Sequence, residues 1–522
     1  MVGDTAPVSA NVVPFVANGG PAVDALDLNH TASQVEALAL VSEAYASAHS
    51  LLPIRIDGGV LLVACADLND QATLRELQVL SRHQVQAAFA REPDIQHAIR
   101  QRYSVLPDVD QHVQAFIERV RSSPDAGAAA QLTFNETSPV VRITDLIIRQ
   151  GLRDRASDIH IEPQESSLRV RFRIDGLLSD VLQLPKALGQ SLASRIKVMA
   201  NMDIVDRHRS QDGQLRIDHE GRQVDIRVST AETIWGEKAV LRLLDQGRTL
   251  LSLDQLGLAE QGEQRLGRLL KSPYGMIVVS GPTGSGKTTT LYASIKELDP
   301  IKQNIMTIED PVEYTFENIN QIQIRRVSNL TFANGLKAIL RQDPDVILVG
   351  EIRDMETAEI AVQSALTGHL VLSSLHATDA AGVVQRFIEM GIEGFLISSA
   401  LVGVVAQRLV RRNCPHCIEL YQPSAPELSL WNEYGAAPKA EFYAGAGCAQ
   451  CAGTGFLGRI GVFEVLEMSD QIKRIVSVRA SAHEIRERAL EEGMVSLRAD
   501  AVQKVAANAT TLAEVMRCVW LN

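Results

Sequence analysis

Gly281-Pro282-Thr283-Gly284-Ser285-Gly286-Lys287-Thr288 fits G-x-x-x-x-G-K-[ST], the pattern of a phosphate-binding P-loop. Its surroundings agree. Met276–Ser280 reads as a short buried strand, and Thr288–Leu298 as the start of a helix. The glycines free the backbone to turn several N–H groups onto phosphate, and the helix N-terminus adds a positive dipole end. Lys287 has the reach to meet β- and γ-phosphates, and the Thr288 hydroxyl suits Mg²⁺. The expected nucleotide contacts are Gly281 through Thr288, together with the adjoining Thr289 and, further on, His376.

Three later stretches follow at the spacing of a RecA-like parallel sheet. Ile305-Met-Thr-Ile-Glu309-Asp310-Pro311-Val-Glu313 is an apolar strand ending in carboxylates, where an open α/β sheet places its ligand site. Asp345-Val-Ile-Leu-Val-Gly350-Glu351-Ile-Arg353-Asp354 is a Walker B pattern with Glu in place of the usual Asp. Such a carboxylate holds the water shell of Mg²⁺ or polarises the attacking water. Glu351 and Glu309 both compete for that role, with Glu351 preferred. Thr367-Gly368-His369-Leu-Val-Leu-Ser-Ser-Leu-His376 is another buried strand with a histidine at each end. One is suited to sensing a γ-phosphate, the other to a structural part.

Upstream, residues 1–30 lack periodicity and read as a disordered tail. Residues 31–105 read as a small α/β domain, helix Thr31–Ser47 followed by β-β-α-β-α, suited to docking. Residues 106–135 read as a linker containing one helix, Gln111–Arg121. Residues 136–245 read as a second α/β domain whose hairpin turns at Asp175-Gly176. It carries Arg171, Arg173, Arg195, Arg207, Arg209, Arg216, Arg222, Arg227 and Arg242. Alternation along strands places several guanidiniums on one face, and the planar fork suits phosphate. Residues 246–252 read as a short linker and 253–522 as the P-loop domain. The apolar run Phe395–Ala406 reads as a buried helix, being shorter than a membrane span.

Cys414-Pro-His-Cys417 and Cys448-Ala-Gln-Cys451 are two C-x₂-C knuckles, and four thiolates make a closed structural Zn²⁺ site within a module of 411–460. Cys65 and Cys518 are left as buried or free thiols. Arg408, Arg411 and Arg412 beside the first knuckle are either solvated or able to meet acidic lipid or a membrane-protein loop. Residues 461–522 read as helical. The net charge of −12 argues against a nucleic-acid binder. With no apolar stretch of about 18 residues and no charged leader, a cytoplasmic protein is expected.

As a set, these stretches resemble the secretion ATPases of type II secretion and type IV pilus assembly. The family's Walker A, Asp box, Walker B and His box match Gly281–Thr288, Ile308–Glu313, Val346–Asp354 and Thr367–His376. The resemblance implies an α/β protein with a RecA-like P-loop ATPase core, preceding α/β domains and a zinc-binding insertion of the assembly type. It implies a homohexamer that hydrolyses ATP with Mg²⁺, docked by its N-terminal domain on inner-membrane platform proteins. It also implies that second-domain arginines reach the nucleotide. Where many members read Gln-Asp-Gly-Arg, this chain has Gln214, with Arg216 two residues on, so Arg227 is the preferred arginine. Type II secretion is the leading reading and pilus extension the alternative. A nucleotide-gated scaffold and a nucleic-acid motor stand further off.

Overall fold

The computed structural model describes residues 41–102, 106–122, 138–219, 221–245, 251–325, 330–434, 439–448, 450–451 and 453–520. Before them it describes residues 12–15, 23–26, 28, 31, 33, 34, 37, 38 and 40.

The first region is built on strands Leu51–Asp57, Val60–Cys65 and Gln84–Phe89, with helices Gln71–Ser81 and Glu92–Arg102. The first strand pair is antiparallel and the second parallel. Leu52, Ile54, Leu61, Val63, Leu77, Ile95 and Ile99 fill its core. Two expectations need correction. The single helix expected over Thr31–Ser47 is interrupted: Ala37 and Leu38 are helical, and a separate helix, Glu43–Ala48, starts where the Ser42 hydroxyl accepts the Tyr45 N–H. Within the tail expected to be disordered, Val12–Phe15 pairs antiparallel with Val23–Leu26. Leu26 and Leu28 are buried in the same core, which gives this stretch an apolar anchor. The rest of residues 1–30 lies outside the described residues.

The next region is an antiparallel sheet of six strands among the described residues. Its order is Leu177–Pro185, Ser167–Ile174, Asp158–Pro163, Gly236–Asp245, Arg222–Thr233, Gln211–His219. Asp175 and Gly176 both take positive φ, 47° and 90°, as a two-residue hairpin turn requires. Helices Pro139–Arg153 and Leu188–Met199 cover one face. The helix Leu106–Ser122 belongs there too, and this corrects the linker. Val109, Val113 and Phe116, at i, i+4, i+7, are buried in the same core as Ile143 and Ile147. Residues 123–137 lie outside the described residues.

The P-loop region holds a seven-stranded sheet among the described residues. Parallel strands run in the order Asn320–Gln323, Ile305–Glu309, Val346–Val349, Leu370–Leu375, Gly275–Ser280, Leu401–Asn413, and Phe456–Glu467 closes the edge antiparallel. The strands Gly275–Ser280, Val346–Val349 and Leu370–Leu375 are buried on both faces, which is why they read as unbroken apolar runs. The helix expected over Phe395–Ala406 is corrected: helix Gly394–Ala400 ends there and strand Leu401–Asn413 begins. Val404 and Val405 favour a pleated surface, and they pair with Val278 and Val279 on the Gly275–Ser280 edge. Helices Asp470–Ser477, Ala482–Glu491 and Leu497–Ala506 follow.

Candidate functional site

The strand Gly275–Ser280 delivers the P-loop at its C-terminal end, and the helix Lys287–Lys296 leaves it. Gly286 sits at the helix start with φ 90°, a conformation costly for any side chain. Pro282, Thr283 and Gly284 form the exposed crest, Ser285 is buried, Thr288 is half-buried and Thr289 exposed. Ser280 Oγ and Ser285 Oγ are buried without a hydrogen-bond partner among the described residues. Lys287 Nζ donates to the carbonyls of Gly281 at 2.9 Å and Pro282 at 3.1 Å. Burial pulls the Lys287 pKa down, and the nearby Glu351 carboxylate opposes that pull. From the neighbouring strand, buried Gln407 clamps the loop. Its Nε2 donates to Ser285 O at 2.7 Å, and its Oε1 accepts from Thr290 Oγ1 at 2.7 Å. Gln407 was not singled out from sequence. It sits directly after the apolar run Phe395–Ala406 misread as helix, where the polar residue that ends the run was the available signal.

Glu351 follows the strand Val346–Val349. Ser374 Oγ donates to Gly350 O at 2.7 Å and so fixes the turn that presents Glu351. Arg353 Nη2 lies 2.5 Å from Glu351 Oε1, and His376 Nε2 lies 3.9 Å from Oε2. Burial, with Lys287 beside it, holds His376 below the usual histidine value, against the pull of Glu351. Lys287, Glu351 and His376 are therefore brought together. His369 is not: at the strand's other end its Nδ1 donates to Ser364 O at 2.9 Å.

Glu309 sits apart from that group. It is 3% exposed and accepts from Tyr292 Oη, from Thr307 Oγ1 at 2.7 Å and from Gln321 Nε2 at 3.2 Å. Glu313, quoted from sequence but given no role, faces the second region. Burial pushes its carboxyl above the usual value while Arg227 and Arg242 pull it back. Arg227 and Arg242 are cross-strand partners, and Gln214 lies opposite Arg227 on its other side. Arg216 is instead paired with Asp225 at 2.6 Å. The same sheet ties its other arginines to two carboxylates: Asp158 takes Arg173 and Arg242, and Glu162 takes Arg169, Arg171 and Lys238. The two regions also touch where Gly458 N–H donates to Asp175 Oδ2 at 3.0 Å.

The cysteine module is a possible metal centre. The sulfurs of Cys414, Cys417, Cys448 and Cys451 all lie within 4.8 Å of one another. Cys414–Cys448 and Cys448–Cys451 are 3.8 Å apart and Cys417–Cys451 3.9 Å. A tetrahedron with Zn–S bonds of about 2.3 Å has edges of about 3.8 Å, so the donor set and spacing fit Zn²⁺. Burial opposes ionisation of Cys451, yet the N–H groups of Cys448 and Gly455 hold its thiol below the usual value. Gly445 and Gly455 let the two turns meet: a Cβ on Gly445 would lie 2.1 Å from Gly455 O. Cys65 and Cys518 are buried thiols whose pKa values burial pushes up to about 11.

The arginines beside the first knuckle correct an expectation. Arg408 is buried and donates to Thr378 O at 2.8 Å and Gln407 O at 3.1 Å. Arg411 lies 2.8 Å from Glu514, whose side chain is 0% exposed, so neither is a lipid-facing group. Arg412 alone of the three is exposed. Burial pushes the Glu514 carboxyl up, but Arg517 and Arg411 outweigh it and hold the value at about 2. A depressed carboxylate stabilises the fold above its unfolded value of about 4.3, and the contribution fades as pH falls towards about 2. Glu514→Gln is expected to lower stability at neutral pH by about 3 kcal/mol. It should also flatten the acid limb of a plot of Tm against pH; an unchanged limb would contradict this assignment.

Comparison with known proteins adds to this geometry. A family model described as type II/IV secretion system protein matches residues 133–517. A MshEN domain model matches residues 18–107. The type IV pilus assembly ATPase PilB of Myxococcus xanthus is 39% identical over 507 residues, 95% of this chain and 88% of that one. The type II secretion system protein E of Pseudomonas aeruginosa is 46% identical over 382 residues, 73% of this chain and 76% of that one. Among solved structures, the ATPase DotB of Legionella pneumophila aligns with a TM-score of 0.53 at 19% identity. That alignment covers 72% of this chain and 94% of DotB, a likeness of fold.

Proposed function

The chain belongs to the family of type II/IV secretion system proteins, and from that premise we propose that this ATPase powers type II protein secretion by assembling a pseudopilus at the inner membrane. The observation that carries the reading is the meeting of Lys287, Glu351 and His376 beside the P-loop. The higher identity to a type II secretion protein, 46% over 382 residues, supports it. A second reading, the pilus extension motor, is supported by the pilus assembly relative that matches nearly the whole chain.

Phosphoryl transfer to water asks a protein for positioning and charge neutralisation. Lys287 neutralises the β- and γ-phosphates, with the backbone of Gly281–Gly286 around them. The Thr288 hydroxyl and the Glu351 carboxylate are hard oxygen donors, the set that suits Mg²⁺. Glu351, partly open and beside Lys287, orients the attacking water. The enclosure of Glu309 by three donors supports Glu351 over it. Arg227 brings charge from the second domain, and closing and opening of that domain couples turnover to work. The tetracysteine site takes Zn²⁺ as a structural brace.

The domain division follows the same reading. Residues 31–105 dock on platform proteins, 136–245 form the moving domain and 253–522 the motor, with six copies in a ring. Among the described residues no helix is long and apolar enough to cross a membrane. We place the protein at the cytoplasmic face of the inner membrane through its partners, with no nucleic acid involved. Specific activity is expected to rise several-fold over the concentration range in which particle mass shifts from one copy to six. Specific activity independent of concentration and partner would count against a shared ring site. Capture by the full-length chain of cytoplasmic domains from the secretion machine, set against those of the pilus machine, chooses between the two readings.

A further inference from the structure

Tyr292 lies one and a half turns into the helix that leaves the P-loop and is among the largest fully buried side chains of the described residues. Its hydroxyl is used twice. It donates to Glu309 Oε2, and it accepts the backbone N–H of Glu313 at 3.2 Å. Tyr314 and Phe316 meet the ring edge-on, with centroids 6.0 Å and 5.1 Å away. Glu309 extends the contact, since Gln321 Nε2 donates both to it at 3.2 Å and to Tyr314 O at 3.0 Å. One phenol thus joins the P-loop helix to the end of the Ile305–Glu309 strand and to the loop beyond it. That loop carries Glu313, the carboxylate that feels Arg227 and Arg242. The rings alone would satisfy packing. The hydroxyl adds a fixed register between helix and loop, since a buried carboxylate and a buried N–H are both left short without it.

We infer that Tyr292 is a positioning residue for ATP hydrolysis, holding the loop of residues 310–316 in register with the P-loop helix. Tyr292 touches no phosphate in this role; it acts through Glu309 and Glu313.

The inference rests on the hydrolysis reading, so wild type and Lys287→Ala run beside the test. Wild-type turnover no faster than that of Lys287→Ala would remove the reading itself. With wild-type turnover secured, Tyr292→Phe keeps the ring and removes only the hydroxyl. It is expected to lower kcat by about 10- to 100-fold while KM for ATP stays within about twofold. The double variant Tyr292→Phe/Glu309→Ala is expected to be within about twofold of the slower single variant, because the hydroxyl acts through Glu309. A kcat within twofold of wild type, a KM that rises in step with the loss, or losses that multiply in the double variant would each overturn the inference. Should Tyr292→Phe melt early, Glu309→Gln takes its place, with the same kcat loss expected and the same three outcomes against it.

Discussion

Lys287→Ala is expected to slow ATP turnover by roughly 10³-fold or more, with the fold intact. The charge it removes is the cation of the P-loop, and the phosphates carry their negative charge at that position. Lys287 is half-buried, so its field is screened less than that of a surface lysine. Among the described residues its Nζ bonds to the carbonyls of Gly281 and Pro282 alone, on the loop's own backbone. Losing those two bonds leaves the clamp by Gln407 on Ser285 and Thr290 in place. The melting temperature should therefore stay within a few degrees of wild type while kcat collapses. Steady-state turnover with a melting curve on the same sample checks both halves. A variant that hydrolyses ATP at a comparable rate would place the chemistry elsewhere. A wild type as inactive as the variant would favour a nucleotide-gated scaffold.

Removal of zinc is expected to have the largest effect on stability. In small zinc modules the metal contributes roughly 10–16 kcal/mol. Here the four sulfurs close the knuckles Cys414–Cys417 and Cys448–Cys451, which flank the paired strands Ile418–Tyr421 and Phe442–Gly445. The helix Ala425–Tyr434 is held differently. Leu430, Trp431 and Phe442 are buried in the same core as the P-loop sheet, and Trp431 meets Phe442 edge-on at 5.4 Å. Zinc loss is therefore expected to open part of the 411–460 module and not the whole of it. A strong chelator, or Cys414→Ser with Cys448→Ser, should strip one zinc per chain and open residues 414–421 and 442–455 to protease. The Trp431 side should loosen later and less. Metal analysis, limited proteolysis and tryptophan emission read these steps separately. A chain that carries no zinc yet shows the same cleavage pattern and Tm would refute a metal-dependent module.

The correct and incorrect readings divide on physical grounds. A P-loop is legible because each residue acts through its own backbone freedom or its own charge at fixed offsets. Two C-x₂-C knuckles are legible because paired soft donors at that spacing match the geometry of a tetrahedral metal. The Asp175-Gly176 turn is legible because few residue pairs adopt its positive φ values at low cost. Phe395–Ala406 was misread because a short apolar run carries no period. Hydrogen bonds from the P-loop strand decided that residues from Leu401 onward extend it as sheet. The helix Leu106–Ser122 had the right period, but whose core it would fill was a question of tertiary packing. Arg408 and Arg411 looked like surface charge until Thr378 and Glu514 were found beside them.

Sequence alone determined the glycine-rich loop between strand and helix, the carboxylates at the strand ends, the four clustered cysteines and the α/β class, since each is set by short-range geometry and donor chemistry. Tertiary structure alone decided which carboxylate faces Lys287 and which is enclosed by Tyr292, Thr307 and Gln321. It also decided that Arg216 pairs with Asp225 and Arg242 with Asp158. Those outcomes depend on burial and partner choice between residues far apart in the chain, and only packing brings such residues within hydrogen-bond distance.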